Sequence, residues 1–367
     1  MLPELFSCVY RATRSRVIGN VYARQAAEGR PRDLEDVVEI GDARLKKLPR
    51  WTYNFKIPEG IGIKLHDLEF PSPLTLAAFK DDLAIIDIWM HLGLGGACIK
   101  TVMKEQRDGN PRPRLQEVQV NGYNCLLNAM GLPGHGVEGK IEELKQSSIF
   151  SHDRPIGISI GGSSVEEYQH NFLQLHVYLA SRFLRSQEDV PPEDGQQPLP
   201  FYYEINISCP NTPEGQQMSK HPELLQDLLI EMRRPRTQAV IGVKLSPDMK
   251  NDQLLAFAEL LKKFPKTYLN LGNTTYRKCP DVGLPQDAIS IGGGGLSGPA
   301  LYQRTLEMTS IVAATRIPII ATGGVDSADK VKELLDNGAT AVGIATAVVQ
   351  DMYCVPIINY ELAKRRR

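Results

Sequence analysis

The chain has 367 residues with 42 Lys+Arg against 43 Asp+Glu, a net charge of -1, and this balance removes the electrostatic footprint of a dedicated nucleic-acid binder. A small-molecule substrate is expected instead, on one main domain with a short appendage. Cys8, Cys98, Cys125, Cys209, Cys279 and Cys354 form no CxxC pair and the seven histidines show no HExxH spacing, so no metal or iron–sulfur cluster is expected, and the compartment reads as reducing.

No apolar run reaches the roughly 18 residues of a membrane span. The nearest, 83–99, is interrupted by Asp87 and His91 and broken by Gly93, Gly95 and Gly96. The N-terminus lacks the pattern of a secretory signal, which points to a cytoplasmic protein. Residues 1–55 read as an amphipathic helical extension, with Leu2, Leu5, Phe6, Val9, Tyr10, Val17, Ile18, Val21 and Tyr22 along one side and Arg11, Arg14, Arg16 and Arg24 elsewhere. Such an extension could pack on the main domain or touch a membrane surface.

Beyond it, from residue 71, short runs rich in Val, Ile and Ala alternate with amphipathic stretches, the pattern of βαβ units around a buried parallel sheet. The spacing predicts eight strands: 73–79, 96–102, 155–161, 201–208, 239–245, 267–272, 318–322 and 341–345. Helices are expected at 165–184, 222–232, 252–263, 299–314, 327–337 and 347–364, with a polar, proline-containing loop at 186–199. Eight such repeats predict an α/β fold, a parallel (β/α)8 barrel over 56–367. A doubly wound open sheet is the alternative, but no GxGxxG follows the first strand.

Barrel enzymes work at the C-terminal ends of their strands. Those ends deliver Lys100-Thr101, Asn206 to Asn211, Lys244, Asn273-Thr274-Thr275, Gly323-Gly324 and Ala345-Thr346. The last two pairs, with Gly298 in a glycine-rich run from Gly292, suit a bound phosphate, which backbone N–H groups approach closely where no side chain intervenes. Lys100 and Lys244 are costly to bury unpaired and so point to an anionic ligand; a flavin offers both a phosphate and a reduced ring that gathers negative charge. Asn128, Asn206, Asn211 and Asn273 suit a planar polar heterocycle. Cys209, in a polar context between Ser208 and Pro210, is the candidate base if its thiol is activated.

These motifs resemble the dihydroorotate dehydrogenase family over nearly all of 65–350. They are Gly109-Asn110-Pro111-Arg112-Pro113-Arg114, Leu127-Asn128-Ala129-Met130-Gly131-Leu132-Pro133, Asn206-Ile207-Ser208-Cys209-Pro210-Asn211-Thr212, Gly242-Val243-Lys244, Asn273-Thr274-Thr275, Gly295-Leu296-Ser297-Gly298 and Ala321-Thr322-Gly323-Gly324-Val325, in the family's order. The resemblance implies an FMN enzyme of pyrimidine biosynthesis in which Cys209 takes the C5 proton of dihydroorotate while hydride leaves C6 for the flavin, giving orotate. By it, Asn128, Met130, Gly131, Leu132, Asn206, Asn211, Asn273 and Thr274 contact substrate, and Lys100, Thr101, Lys244, Gly298, Gly323, Gly324, Ala345 and Thr346 hold FMN.

The cysteine base and Lys100 are similar to the family's soluble branch, which uses fumarate or, through a partner subunit, NAD. The N-terminal extension and Asn273-Thr274-Thr275 are similar to the membrane-associated branch, which uses quinone. The acceptor is left open between them, with residues 1–55 as a cap that would admit quinone. A homodimer and peripheral membrane contact are compatible with the sequence. Two other readings stay open: a flavin barrel reductase acting on another pyrimidine, and a non-catalytic barrel that binds a phosphate ligand.

Overall fold

The computed structural model describes residues 2–183, 199–207, 218–219, 221–234 and 237–365. Sixteen strands, β1 to β16, occur among them, and eight close a barrel in which every neighbouring pair is parallel. The barrel strands are β3 (Leu74–Leu76), β4 (Gly96–Val102), β9 (Ile156–Ile160), β10 (Phe201–Asn206), β11 (Val240–Leu245), β12 (Thr267–Leu271), β15 (Ile319–Thr322) and β16 (Ala341–Ile344). Each falls inside one of the eight expected runs, and closure occurs where β16 pairs with β3, Val342 beside Leu74.

Alternation along the strands decides what enters the lumen. On β10, Phe201, Tyr203 and Ile205 pack outward in the large core shared with the helices, where Phe172 of α5 (Val165–Phe183) lies 5.0 Å from Tyr203. Tyr202 instead joins Cys98, Val240, Tyr268, Ile320 and Ala341 in a separate interior cluster. The same alternation places Glu204 and Asn206 on the Tyr202 side of β10, Lys244 on the Val240 side of β11, and Lys100 on the Cys98 side of β4. Two large rings fit into so narrow a lumen because glycines face them. A Cβ at Gly242 would come within 2.0 Å of the Tyr268 ring, and one at Gly157 within 2.3 Å of the Tyr202 ring.

The structure departs from the eight-repeat expectation in three places. A four-stranded antiparallel sheet, in the order β13-β14-β7-β6, joins β6 (Leu115–Val120), β7 (Tyr123–Asn128), β13 (Thr275–Lys278) and β14 (Gly293–Ser297). Its β6–β7 hairpin turns on Asn121 and Gly122, both with positive φ (52° and 79°), as a two-residue turn between right-twisted strands requires. The glycine-rich run from Gly292, read in the sequence as a close backbone approach to a phosphate, is mostly strand β14, with only its flanks, Gly292 and Gly298, at positive φ. The single helix expected at 347–364 is two, Thr346–Gln350 and Cys354–Arg365. Asp351 between them is extended and accepts a hydrogen bond from the Tyr353 N–H at 3.1 Å, and Pro356 is accommodated in the first turn of the second helix.

Before the barrel run α1 (Leu2–Ala27) and α2 (Leu34–Leu45). Val21 of α1 and Leu34 and Val37 of α2 bury against Leu126 of the antiparallel sheet. Charge fixes the same contact. Arg112 reaches Asp33, Asp36 and Glu39, the last at 3.0 Å, and Arg114 meets Glu35 at 2.8 Å with both side chains largely buried. No described helix is long and apolar enough to cross a membrane.

Replacing Gly242 by Ala should lower the unfolding free energy by about 1–3 kcal/mol, because the added methyl group meets the Tyr268 ring within a packed lumen. The matching change at Gly19 in α1, where a Cβ meets nothing within 4 Å, should be neutral or raise stability by up to about 1 kcal/mol. Urea unfolding of both variants checks the contrast, and equal effects would remove the steric explanation.

Candidate active site

A cavity of about 800 Å³ opens at the C-terminal ends of the barrel strands and runs outward between α1 and α2. It has two parts of different chemistry. The inner part is bordered by Lys100, Thr101, Asn128, Met130, Gly131, Leu132, Asn206, Lys244, Asn273, Thr274, Gly298, Gly323, Gly324, Ala345 and Thr346. Every expected site residue among the described ones therefore faces one space. Cys209 and Asn211 lie outside the described residues.

Hydrogen bonds hold the inner groups in place. Asn206 donates to Thr101 Oγ1 at 2.9 Å, and that oxygen is also 2.9 Å from Ser159 Oγ. The Tyr168 hydroxyl donates to the Asn206 carbonyl at 2.8 Å, fixing the end of β10 from outside the barrel. Asn128 donates to the Gly295 carbonyl at 3.1 Å across the antiparallel sheet, and Thr346 Oγ1 donates to Ser297 Oγ at 3.0 Å. The sheet that the sequence reading passes over is thus what carries Asn128 and Ser297 to the mouth. Thr274 explains one glycine there, since a Cβ at Gly295 would fall 2.0 Å from its Oγ1.

Two cations enter this space. Lys244 is buried, and its Nζ lies 4.0 Å from Glu204 Oε1, deeper in the lumen. Glu204 itself is 1% exposed and accepts from Asn270 at 2.6 Å and from the Tyr268 hydroxyl at 3.3 Å, both on Oε2. This acid is absent from the sequence-based site. Its only sequence signal is its place on the inward side of β10, two residues before Asn206. Lys100 stands apart from that pair, and burial pushes its ammonium down to about 8, with Asp81 acting in the opposite direction.

Glycines shape the remaining wall. Gly298, Gly323 and Gly324 have φ of 124°, 136° and 75°, values that L side chains rarely adopt. A Cβ at Gly324 would also meet the Tyr302 N at 2.5 Å, and Lys330 donates to the Gly324 carbonyl at 3.1 Å. Main chain, two ammonium groups and several amides thus form a cradle suited to a flat anionic ligand.

The outer part of the cavity is apolar. Val9 and Val17 of α1 and Val37, Val38 and Leu45 of α2 line it, and Trp89, stacked on Phe79 with ring centroids 5.7 Å apart, borders it from α3 (Leu83–His91). Its few polar groups are largely tied to one another: Lys80 pairs with Asp42, and Arg14 pairs with Glu117 while donating to the Val349 carbonyl at 3.2 Å.

Comparison with known proteins shows what the chain is similar to. A family model described as dihydroorotate dehydrogenase matches residues 61–183 and 194–365. A dihydroorotate dehydrogenase (quinone) of Rhodococcus opacus is 32% identical over 288 residues, covering 75% of this chain and 72% of its own length. The catalytic subunit of dihydroorotate dehydrogenase B (NAD(+)) of Halalkalibacterium halodurans is 33% identical over 274 residues, covering 74% of this chain and 81% of its own. The crystal structure of DHODH from Eimeria tenella, solved with ferulenol, superposes with a TM-score of 0.71 over 91% of this chain and 90% of that one at 19% identity, a likeness of fold.

An anion seated against Lys100 favours its charged form, so affinity should be highest below pH 8 and fall as pH rises through about 8 toward the higher pKa of the liganded state. Flavin mononucleotide is a suitable probe, because its phosphate is fully ionised across that range. Fluorescence titration from pH 7 to about 10 should show the fall in the parent chain and a flatter profile in Lys100→Met. Identical profiles would exclude Lys100 as the titrating contact.

Proposed function

As the chain belongs to the dihydroorotate dehydrogenase family, we propose that it oxidises dihydroorotate to orotate in pyrimidine biosynthesis, with FMN as resident cofactor, Cys209 as base and a quinone as electron acceptor. The observation that carries this reading is the convergence of Lys100, Lys244, Asn128, Asn206, Asn273 and Thr274 on one cavity beside Gly298, Gly323 and Gly324.

The residues present fit a flavin. Gly298, Gly323 and Gly324, with Ala345 and Thr346, leave main chain free of side-chain bulk where a phosphate would lie. Lys100 and Lys244 would meet the flavin's anionic groups, its phosphate and its reduced ring, and Glu204 would hold the Lys244 ammonium at a fixed depth. When bound, FMN supplies the acceptor for the hydride that leaves C6 of the substrate. Asn128, Asn206, Asn211, Asn273 and Thr274 match the ring N–H, carbonyl and carboxylate groups of dihydroorotate and orient it. Met130, Gly131 and Leu132 complete the substrate side, where Gly131 is needed because a Cβ there would lie 2.6 Å from the Asn110 N.

Cys209 follows Asn206 by three positions and would take the C5 proton on Sγ. Replacing it by Ala should slow dihydroorotate-dependent flavin reduction by about two to four orders of magnitude, and Ser should retain part of the rate. Stopped-flow bleaching of the flavin band measures this, and an unchanged rate in Cys209→Ala would refute the assignment. Orotate formation compared with uracil reduction in the same preparation separates this reaction from that of another pyrimidine reductase. A protein that binds no flavin would favour the non-catalytic reading.

The outer cavity supports the choice of quinone as acceptor. Its Val and Leu lining between α1 and α2 suits an apolar, water-poor molecule better than a dicarboxylate such as fumarate, since Arg14 and Lys80 are already paired with Glu117 and Asp42. In this reading residues 1–55 act as a cap on the barrel of 56–367. Gly41 in α2 lines the passage with open space around it, so Gly41→Leu should fill the route without straining the helix. Quinone turnover should fall by about tenfold or more, while flavin reduction by dihydroorotate stays unchanged. Equal quinone turnover in both proteins would refute this route, and fumarate turnover that exceeded quinone turnover would reassign the acceptor.

A further inference from the structure

Away from the cavity, the helix α3 carries an unusual pair. Its sequence is apolar and its side chains Leu83, Ile85, Ile86, Ile88, Trp89 and Met90 are buried, yet Asp87 and His91 stand one turn apart on a single face. A third polar group meets them from a different element. The 3-10 turn Ile149–His152, anchored by buried Ile149 and Phe150, brings in His152, whose side chain is 6% exposed. This junction sits at the N-terminal ends of β4 and β9, the end of the barrel opposite the mouth.

The geometry is that of ligands gathered around a point. His152 Nε2 is 2.8 Å from Asp87 Oδ1, and His91 Nε2 is 3.8 Å from Asp87 Oδ2, beyond hydrogen-bond range. The two imidazole rings are 4.6 Å apart and steeply inclined, so they do not stack face to face. One ligand atom from each of the three residues lies within 4.8 Å of the others. A tetrahedral ion with bonds of about 2.0–2.2 Å holds its ligand atoms about 3.3 Å apart, so shifts on the order of an ångström would complete the site.

We propose that Asp87, His91 and His152 bind one divalent transition-metal ion of borderline softness, Zn2+ being the best fit, as a structural clamp between α3 and the 149–152 turn. Two imidazoles and one carboxylate are a ligand set that nitrogen-preferring ions use, whereas Mg2+ and Ca2+ need more oxygens than this junction offers. Arg50 and Arg154 act on His91 as like charges and oppose a cation there, so the ion has to be held by its ligand bonds and not by the net charge of the junction. Arg154 itself is held by the Met90 and Leu94 carbonyls at 2.6 and 2.8 Å, away from the ligand atoms. Asp87 and His91 retain partial exposure, so an ion can enter from solvent. The inference does not depend on the proposed reaction.

The test uses the full chain stripped with a chelator and titrated with Zn2+ by calorimetry and with Co2+ by absorption. One equivalent should bind at micromolar concentration or below, with a tetrahedral Co2+ spectrum and a higher unfolding temperature. Asp87→Asn and His152→Ala should each weaken binding by about tenfold or more, and lose the gain in unfolding temperature, while Cys8→Ser and His221→Ala should bind as the parent does. Should His152→Ala fail to fold, His91→Ala, at the more exposed ring, is measured in its place with the same expected loss. Absence of saturable binding in the parent chain, or undiminished binding in the Asp87 and His152 or His91 variants, would overturn the proposal.

Discussion

Closure of an all-parallel barrel is the constraint on which the rest of this protein depends. Because all eight strands run in one sense, eight C-terminal ends share one rim, and residues as distant in sequence as Lys100 and Thr346 come to line the same space. The same closure forces alternate side chains of β4, β10 and β11 into a narrow lumen. There, Gly157 and Gly242 make room for two tyrosine rings, and the rings form a floor beneath Glu204, Lys244 and Asn206.

That floor places charge where it is costly. Glu204 and Lys244 are both nearly free of solvent and stand 4.0 Å apart, with Asn270 and Tyr268 satisfying one carboxylate oxygen. A buried charge pair of this kind adds little to stability by itself, since the attraction is offset by the loss of hydration. Its worth lies in position: the ammonium is held at the inner wall of a cavity whose opposite side is shaped by glycines. Among the described residues Lys100 has no such close partner, and its lowered pKa records the cost of burial. Under the proposed function, a negatively charged ligand completes this site.

The cap adds a second environment to the same cavity. Arg112 and Arg114 tie the loop before β6 to the acidic row of α2, and the apolar sides of α1 and α2 then continue the inner, polar chamber as a passage of opposite character. In the proposed reading one chamber takes a polar heterocycle and the other an apolar molecule, which would give the two halves of the oxidoreduction separate approaches to one centre. Relatives named for quinone and for NAD(+) are both about a third identical to this chain over the aligned residues, which is why the acceptor must be argued from the cap.

The strand pattern alone determined the barrel, because parallel strands buried on both faces leave continuous apolar runs, and the residues at the ends of those runs included Lys100, Thr101, Asn206, Lys244, Asn273, Thr274, Gly323, Gly324, Ala345 and Thr346, whereas Asn128, Met130, Gly131, Leu132 and Gly298 reach the cavity from the antiparallel sheet. What sequence periodicity left unread was local structure that does not bury a continuous run. The Asn121-Gly122 turn marks a hairpin whose strands are half exposed, and glycine-rich β14 has too few side chains to show any period. Glu204 read as part of a strand until closure turned it inward beside Lys244, and Asp87 and His91 read as interruptions in an apolar run until the 149–152 turn brought His152 against them. Spacing within one element is written in the sequence, whereas the meeting of groups from different elements exists only once the chain has packed.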